Sequence, residues 1–238
     1  MIIKVSVVGA SGRMGKLALE LIDAAQDLSL HSALDSKSNL SETDGSDVIF
    51  DVTRLEVSGG VVEHALASGI PVVVGTSGWS SSKLAELEAD VSKVAGTAVV
   101  IPNFSVGSML ATRFAAEAAK HFSSIEIVEA HHANKIDSPS GTSIRTAELI
   151  SKSRGSNPLV VGADQEARGQ IVAGVPVHSL RLPGVSAKQD VLLGGDSELL
   201  TISHETSSVY AYSAGILASI RFAAANKGLF VGLETVLA

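Results

Sequence analysis

The stretch VVGASGRMG, residues 7–15, decides how the chain begins to fold. Its three glycines follow the β-branched run Ile2 to Val8 and precede a helical pattern from Met14 to Ala25. A glycine turn between a strand and a helix presents backbone amides that, together with the helix dipole, can hold a pyrophosphate. The spacing G-x-x-G-x-x-G departs from the commonest dinucleotide fingerprint, so a tight turn that merely packs is the alternative. We favour a dinucleotide site.

Downstream of this turn, strands and helices alternate as far as residue 101. Strands bounded by helices predict a parallel sheet of the Rossmann type, because parallel neighbours need a crossover between them. The predicted strands are Leu28–Leu34, Val48–Val52, Val72–Val74 and Thr97–Ile101, and the predicted helices are Val57–Ala67 and Ser80–Ala95.

After Asn103 the pattern changes, and long strands dominate. The stretch GGDSE at 194–198 supplies hairpin-turn chemistry between two of them. We therefore predict an α/β protein whose second domain is α+β with an open mixed sheet. Predicted strands lie near Ile125–Glu129, Ile171–Leu182 and Val191–Ser203, and predicted helices cover Val106–His121 and Ser213–Asn226, the second with Gly228 as its C-cap.

Composition excludes several classes of function. The net charge is -7 and no Lys/Arg-rich run occurs, which argues against a nucleic-acid partner. The absence of cysteine excludes disulfides, thiolate metal ligands and thiol nucleophiles. Every apolar run ends well before the roughly 18 residues that a membrane span requires. We expect a protein without a membrane or nucleic-acid partner, located in the cytoplasm.

The sequence is compatible with both NADH and NADPH. Asp35 lies twenty residues after Gly15, at the end of the second strand, where an acid can accept hydrogen bonds from the adenosine ribose. That position favours NADH. Lys37 and Arg13 could instead pair with a 2′-phosphate, or be solvated surface cations. The strand ends FDVT (50–53), VGTSG (74–78) and IPNFS (101–105) share the carboxyl edge of the sheet and would line the nicotinamide side.

A second stretch, EAHHANKIDSPSGT at residues 129–142, concentrates groups that carry chemistry. Ser140-Gly141-Thr142 opens a predicted helix, whose N-terminal amides can bind a carboxylate. Lys135 adds a second positive site, so the segment suits a small dicarboxylate. Reduction of a polarised double bond by a nicotinamide also needs a proton, which histidine or lysine can supply.

Two other interpretations of His131 and His132 compete with a catalytic one. A metal site needs three converging ligands, and the only other donors nearby are Glu129 and Asp137, so we predict no metal. Alternatively, one histidine is a hydrogen-bonded core residue and the other is exposed. Neighbouring residues of a strand point to opposite faces, so both imidazoles reach one pocket only if the strand ends there.

Together with GASGRMG, VGTSG, IPNFSVG and RGQIVAGVPVHSLRLPG (168–184), this segment resembles the 4-hydroxy-tetrahydrodipicolinate reductases of bacterial lysine and diaminopimelate biosynthesis, over nearly the whole chain. The resemblance implies reduction of 4-hydroxy-2,3,4,5-tetrahydrodipicolinate to tetrahydrodipicolinate by NADH or NADPH, with release of water. It also implies a dinucleotide-binding domain at residues 1–103 and 210–238. The substrate-binding domain would comprise residues 104–209, and its sheet would build a homotetramer.

The resemblance assigns roles to individual residues. It implies that His131 is the proton donor and Lys135 the second catalytic residue. The implied substrate-binding residues are His132, Ser140, Gly141 and Thr142. The implied cofactor-binding residues are Gly9, Ala10, Ser11, Gly12, Arg13, Met14, Asp35, Gly75, Thr76, Ser77, Ile101, Pro102, Asn103 and Phe104.

Four positions depart from the family pattern. Ser77 and Ser138 replace the commoner threonine and alanine, which are small changes. Val209 stands where many members carry arginine, and Lys188 where some carry histidine, so local contacts of the substrate domain or its interface should differ. The competing functions are another two-domain nicotinamide oxidoreductase, such as an aspartate-dehydrogenase-like enzyme, and an NAD(H)-sensing regulator without turnover. The histidine and lysine set argues against the regulator.

Overall fold

The computed structural model describes residues 2–157, 159–160, 162 and 165–238. The chain divides into two compact units. The first comprises the residues up to Val106 together with Val209–Ala238, and the second comprises Gly107–Ser208.

The elements follow one another along both units. The strands are β1 Ile3–Val8, β2 Leu28–Leu34, β3 Val48–Asp51, β4 Val72–Val74, β5 Thr97–Val100, β6 Ser124–His131, β7 Gln170–Val172, β8 Val175–Arg181, β9 Ala187–Gly194, β10 Leu199–Thr206 and β11 Gly228–Val231. The α-helices are α1 Arg13–Ala24, α2 Leu55–Ala67, α3 Ser81–Val94, α4 Val106–Ala118, α5 Gly141–Arg154, α6 Ser213–Ala225 and α7 Leu233–Val236. None of the helices described is both long and apolar enough to cross a membrane.

The first unit is built on a parallel sheet with the order β11-β5-β4-β3-β1-β2. Every residue of β3, β4 and β5 is buried, as expected of central strands covered on both faces. The predicted Rossmann-type sheet is confirmed.

The end of the chain differs from the prediction. Gly228 is not the C-cap of the preceding helix, which ends at Ala225 with Asn226 as its cap. Gly228, at φ +120°, instead begins β11, which pairs in parallel with β5. The strand was missed because the four-residue run GLFV is too short for periodicity to distinguish strand from loop.

The β1–α1 turn shows why glycine is required at two of its positions. Gly9 has φ +91°, and a Cβ there would lie 2.8 Å from the carbonyl oxygen of Val52. A Cβ on Gly15 would lie 2.2 Å from the carbonyl oxygen of Gly9. Both contacts are too short for any side chain, so these glycines allow α1 to start directly against β1.

The second unit contains a mixed sheet with the order β10-β9-β6-β8-β7. β6 pairs in parallel with β8 and antiparallel with β9. Helices α4 and α5 contribute Ala115, Ala147 and Ile150 to the core over one face of this sheet. The predicted open mixed sheet is confirmed. The strand residues in this core include Ile125, Ile127, Val177, Val191 and Leu193.

The other face of the same sheet, here called the open face, carries Glu126 and Val128 of β6 with His178 and Leu180 of β8. Leu180 is 45% exposed. Glu126 pairs with Arg168 and with the Nε2 of His178 at 2.7 Å. The open face therefore carries both apolar side chains and a hydrogen-bonded cluster of Glu126, Arg168 and His178.

Two of the predicted strands each cover two strands of the structure. The run Val191–Ser203 divides at the predicted turn into the antiparallel pair β9 and β10. The run Ile171–Leu182 was expected to be a single strand, but it folds into the antiparallel pair β7 and β8. The turn between them falls on Ala173 and Gly174, with φ values of +48° and +84°. Two-residue hairpin turns of this kind are usually marked by Asn-Gly or Asp-Gly. Because alanine is rare at positive φ, the Ala-Gly pair found here did not predict a turn.

Candidate active site

The glycine turn presents the start of α1 to solvent. Gly12 is the N-cap residue and has no side chain to cap the helix, and the first turn contains no acidic residue. The first amides of a helix lack intrahelical acceptors, so this end favours an anion. Arg13 is exposed, as are Ser11 and Gly12, whereas Ala10 is buried and Met14 half-buried.

Asp35 follows β2 and is exposed. Its Oδ1 accepts a hydrogen bond from the Lys37 amide at 2.8 Å, and its own amide bonds the Ser38 hydroxyl at 3.1 Å. The first bond holds the carboxylate at the end of the strand, and the second holds the turn that follows it. Because Lys37 and Arg13 are also exposed, this geometry is compatible with a ribose hydroxyl and with a 2′-phosphate.

The loops that follow β3, β4 and β5 meet closely. A Cβ on Gly75 would lie 2.7 Å from the Phe104 ring and 2.9 Å from Val52 Cγ1. Phe104 and Ile101 are buried, whereas Pro102 is exposed and Asn103 half-buried, so a ligand can reach this loop at its two middle residues. The Thr76 hydroxyl is buried and lacks a hydrogen-bond partner within the described part of the chain. Together with the anion-favouring start of α1, this unpaired hydroxyl fits a bound dinucleotide.

Asp51 is a residue of this edge that was not singled out from the sequence. It is fully buried and accepts hydrogen bonds from the Thr53 amide at 3.0 Å and hydroxyl at 2.6 Å, and from the Ser58 hydroxyl. Burial raises the pKa of Asp51, against the opposing effect of the Ser58 and Thr53 hydrogen bonds. The side chain ties the loop after β3 to α2, and that loop backs the glycine turn at Val52.

In the second unit, β6 ends at His131, opposite Arg181 of β8. The Nδ1 of His131 lies 2.6 Å from Oε2 of Glu129, and the ring is 16% exposed. His132 follows the strand and is half-buried, and its carbonyl accepts the Lys135 amide at 3.0 Å. The first imidazole is therefore held by a carboxylate while part of its ring stays accessible.

Glu129, the partner of this ring, is fully buried. Arg181 donates two hydrogen bonds to its oxygens, at 2.8 and 2.9 Å, and the Ser140 amide donates a third at 3.2 Å. Burial acts to raise the pKa of Glu129, but the hydrogen bonds from His131, Arg181 and Ser179 outweigh it and lower the pKa to about 2. Glu129 is therefore an anion at neutral pH.

Lys135 lies in the loop between β6 and α5. Its Nζ is 2.7 Å from Oδ1 of Asp137, and the side chain is 21% exposed. Burial acts to raise the pKa of Asp137, but the hydrogen bond from Lys135 outweighs this and lowers it. Arg181 also donates to the Asp137 carbonyl at 2.6 Å, so the guanidinium that holds Glu129 holds this loop as well.

The three residues predicted at the start of α5 differ in their exposure and their contacts. Ser140 is the N-cap: its buried hydroxyl accepts the Ser143 amide at 3.2 Å, and its own amide is engaged by Glu129. Gly141 is exposed, and a Cβ added to it would have no described atom within 4 Å. Thr142 is half-buried. The accessible part of this helix terminus is therefore centred on Gly141.

Sequence reasoning missed the structural centre of this site. Glu129 was considered only as a metal donor, and Arg181 only as part of a motif. A signal existed, because Glu129 and His131 continue the every-second-residue pattern of Ile125 and Ile127 on the face predicted to be buried. A buried charge needs a partner. No group of three or more His, Asp or Glu residues suited to a metal ion occurs in the described ranges.

Comparison with known proteins shows the family to which the chain belongs. The chain matches the family description "Dihydrodipicolinate reductase, N-terminus" over residues 3–104 and "Dihydrodipicolinate reductase, C-terminus" over residues 107–237. The chain belongs to the dihydrodipicolinate reductase family. Reductases of this family use NADH or NADPH and act in lysine and diaminopimelate biosynthesis, and their N-terminal domain binds the nucleotide.

Relatives within the dihydrodipicolinate reductase family span almost the whole chain. A 4-hydroxy-tetrahydrodipicolinate reductase of Clavibacter michiganensis is 54% identical over 98% of this chain and 85% of its own length. One from Streptomyces griseus is 42% identical over 99% of this chain and 98% of its own. A solved structure of dipicolinate-bound dihydrodipicolinate reductase from Paenisporosarcina sp. has a TM-score of 0.83 at 30% identity, covering 99% of both chains. The myo-inositol 2-dehydrogenase of Lactobacillus plantarum, at 14% identity and a TM-score of 0.63, covering 100% of this chain and 94% of its own, shares the fold alone.

Proposed function

We propose that this chain reduces 4-hydroxy-2,3,4,5-tetrahydrodipicolinate to 2,3,4,5-tetrahydrodipicolinate with NADH or NADPH, releasing NAD(P)⁺ and water. One observation carries the proposal: the carboxylate of Glu129 contacts an accessible imidazole and the start of a helix directly, and a lysine-bearing loop through Arg181. Those are the groups that a dicarboxylate undergoing reduction requires. The 54% identity to a named reductase supports the same activity.

The cofactor would be held by the first unit. The start of α1, with Gly9, Ala10, Ser11, Gly12, Arg13 and Met14, would receive the pyrophosphate, and Asp35 would accept hydrogen bonds from the ribose. The backbone around Gly75 and Pro102, with the unpaired hydroxyl of Thr76, would receive the nicotinamide end; Ser77, Ile101, Asn103 and Phe104 complete this set of residues. When bound, the reduced nicotinamide supplies a hydride.

The substrate would be held by the second unit. The start of α5 at Gly141 and Thr142 would bind one carboxylate, since helix N-termini favour anions. Lys135 would bind the other or donate a proton, exchanging its contact with Asp137 for one with the substrate. His132 and Ser140 would shape the same pocket, Ser140 through the cap that fixes the helix start. His131 would donate the proton from Nε2, because its Nδ1 faces Glu129.

Assembly and location go beyond the family assignment. We propose that the mixed sheet joins four chains into a homotetramer and that the enzyme works in the cytoplasm, both from the family resemblance. The apolar side chains of the open face, such as Leu180, support an assembly through this sheet.

A coupled assay tests the activity. A synthase that makes the unstable substrate from pyruvate and aspartate semialdehyde supplies it in place, and the loss of NADH and NADPH absorbance is followed in parallel. We expect oxidation of at least one cofactor that depends on the synthase. Cofactor binding without oxidation would favour the regulator, and NAD⁺ reduction with an amino acid would favour an aspartate-dehydrogenase-like enzyme.

Lys135→Ala tests the assignment of the site. We expect turnover to fall about 10²- to 10⁴-fold, the usual contribution of a positioned proton donor, while the NADH dissociation constant stays within about twofold. Lys152→Ala, on the last turn of α5, is the control and should retain activity. A large loss of NADH affinity in Lys135→Ala would contradict the assigned role.

A further inference from the structure

We propose that Glu129 and Arg181 are a positioning pair for the reduction: Glu129 fixes the tautomer and direction of the His131 ring, and Arg181 fastens that carboxylate to the Lys135 loop. The inference rests on the proposed function and adds two residues to it. Neither side chain needs to touch the substrate, since both act through groups that do.

The tautomer follows from the hydrogen bond. An ionised carboxylate can only accept, so the His131 nitrogen 2.6 Å from Glu129 must carry a hydrogen. That nitrogen is Nδ1. A neutral His131 therefore keeps Nε2 as its unprotonated atom, and a protonated His131 presents the Nε2 proton outward. The carboxylate thus leaves Nε2, the ring nitrogen that does not contact Glu129, as the one that can release the acidic proton.

The same carboxylate fixes two other parts of the site. Its Oε1 accepts the Ser140 amide at 3.2 Å, which orients the start of α5. Arg181 holds both carboxylate oxygens and also donates to the Asp137 carbonyl, two residues after Lys135. A change at Glu129 would therefore disturb the proton donor, the helix start and the lysine loop together.

Stability alone is a weak reason for this arrangement. A buried ion pair is usually no better than a well-packed apolar pair of the same volume, because both charges lose their hydration. Glu129 continues the row of Ile125 and Ile127, where an apolar residue would pack directly against the core. The charge instead lies at the end of the row, where His131 needs an acceptor.

The strand contains a matched control. Glu126 also pairs with an arginine and a histidine, Arg168 and His178, but it does so on the open face. Both carboxylates lie on β6 and have the same kinds of partner. Only Glu129 contacts groups of the proposed site, so a general effect of losing such a pair can be separated from an effect on catalysis.

The first experiment compares Glu129→Gln with Glu126→Gln in the full-length protein. For Glu129→Gln we expect kcat to fall about 10- to 100-fold, part of what a positioned acid contributes. The dissociation constant for NADH should change less than about twofold. For Glu126→Gln we expect kcat within about twofold of the original, with its assembly checked by light scattering.

The pH profile is the readout that a merely structural role would not move. Among the described residues, the titratable or charged groups that contact Glu129 are His131 on its own strand and Arg181 on β8. The other groups at this carboxylate are neutral: Ser179 of β8, the Ser140 amide before α5, and Gln189 at the paired position of β9. Loss of the carboxylate charge makes it easier for a neighbouring imidazolium to lose its proton. The alkaline limb of kcat/KM should therefore move to lower pH in Glu129→Gln and stay in place in Glu126→Gln.

A second measurement needs no variant at Glu129 and applies even if that variant fails to fold. ¹⁵N NMR of histidine-labelled protein, with His131 assigned by His131→Gln, reports which ring nitrogen carries hydrogen. We expect Nδ1–H for neutral His131. An Nε2–H tautomer would overturn the proposal, as would a Glu129→Gln variant whose kcat and pH profile match those of Glu126→Gln. Absence of reductase activity in the unaltered protein would instead reject the proposed function, and the NMR result would still decide the tautomer.

Discussion

At the scale of single residues, the decisive feature is a carboxylate enclosed by its partners. Glu129 is fully buried and accepts hydrogen bonds from the Arg181 guanidinium, the His131 imidazole, the Ser179 side chain and the Ser140 amide. The ionised form of Glu129 is therefore more stable in the folded protein than in the unfolded chain, so the free energy of unfolding depends on pH in the acid range.

The pKa of Glu129 is lowered from 4.5 to about 2 on folding. Its ionised form therefore stabilises the fold fully above pH 4.5, and the stabilisation is lost as the pH falls towards 2. The shift corresponds to on the order of 3 kcal/mol in the free energy of unfolding. Urea unfolding of the original protein and Glu129→Gln should show a gap between them at pH 7 that narrows below pH 4.5. A gap that is independent of pH would contradict this account.

The residues of the site differ in how far the sequence predicted them. His131 and Lys135 were identified because their side chains carry chemistry in a dense segment. Arg181 was not, because it lies on another strand and only the parallel pairing of β6 with β8 brings it opposite His131. Pairing between distant strands leaves no local signal in a single sequence.

Among the helices and strands, α5 has a start that is both fixed by its cap and accessible at Gly141. The helix is capped by Ser140, so its first turn is fixed before any ligand binds. The accessible position is Gly141, where a side chain would meet nothing in the described protein within 4 Å.

Gly141→Ala should therefore fold normally, and alanine favours a helix more than glycine does. If the substrate carboxylate lies against Gly141, the added methyl group will raise KM for the substrate at least tenfold while thermal stability is unchanged or higher. Gly155→Ala, after the other end of α5, provides a contrast, because its φ of +59° predicts lost stability with little change in KM. An unchanged KM in Gly141→Ala would remove Gly141 from the substrate site.

Elements were predictable where the pattern was long. The parallel strands β1, β3, β4 and β5 follow from runs of buried, mostly β-branched residues. The β7–β8 hairpin and β11 were missed for a shared physical reason: tertiary pairing stabilises them, while their local sequences, an Ala-Gly turn and a four-residue strand, carry little preference of their own.

In the molecule as a whole, the open face of the second unit exposes apolar side chains to solvent. Leu180 is 45% exposed there, and Ile171, on the neighbouring strand, is 47% exposed. Apolar side chains grouped on one sheet face are typical of an interface. The proposed tetramer would cover them.

Leu180→Asp should weaken that assembly, because it buries a charge in an apolar contact. Light scattering coupled to size exclusion should give four times the chain mass of 24.4 kDa for the original protein and a lower mass for the variant at micromolar concentration. Val94→Asp, an exposed apolar position on α3 of the first unit, should leave the mass unchanged. Equal masses for all three proteins would exclude this face as the interface.

The pairing of β11 with β5 has a consequence for biosynthesis. The strands of the first unit come from sequence before and after the second unit. Its sheet therefore stays incomplete until residues 228–231 have been translated. A nascent chain that has reached residue 208 already holds every strand of the second unit. On the ribosome, the second unit can therefore fold before the first unit is complete. Until β11 has been translated, β5 remains an unpaired edge strand of the first sheet.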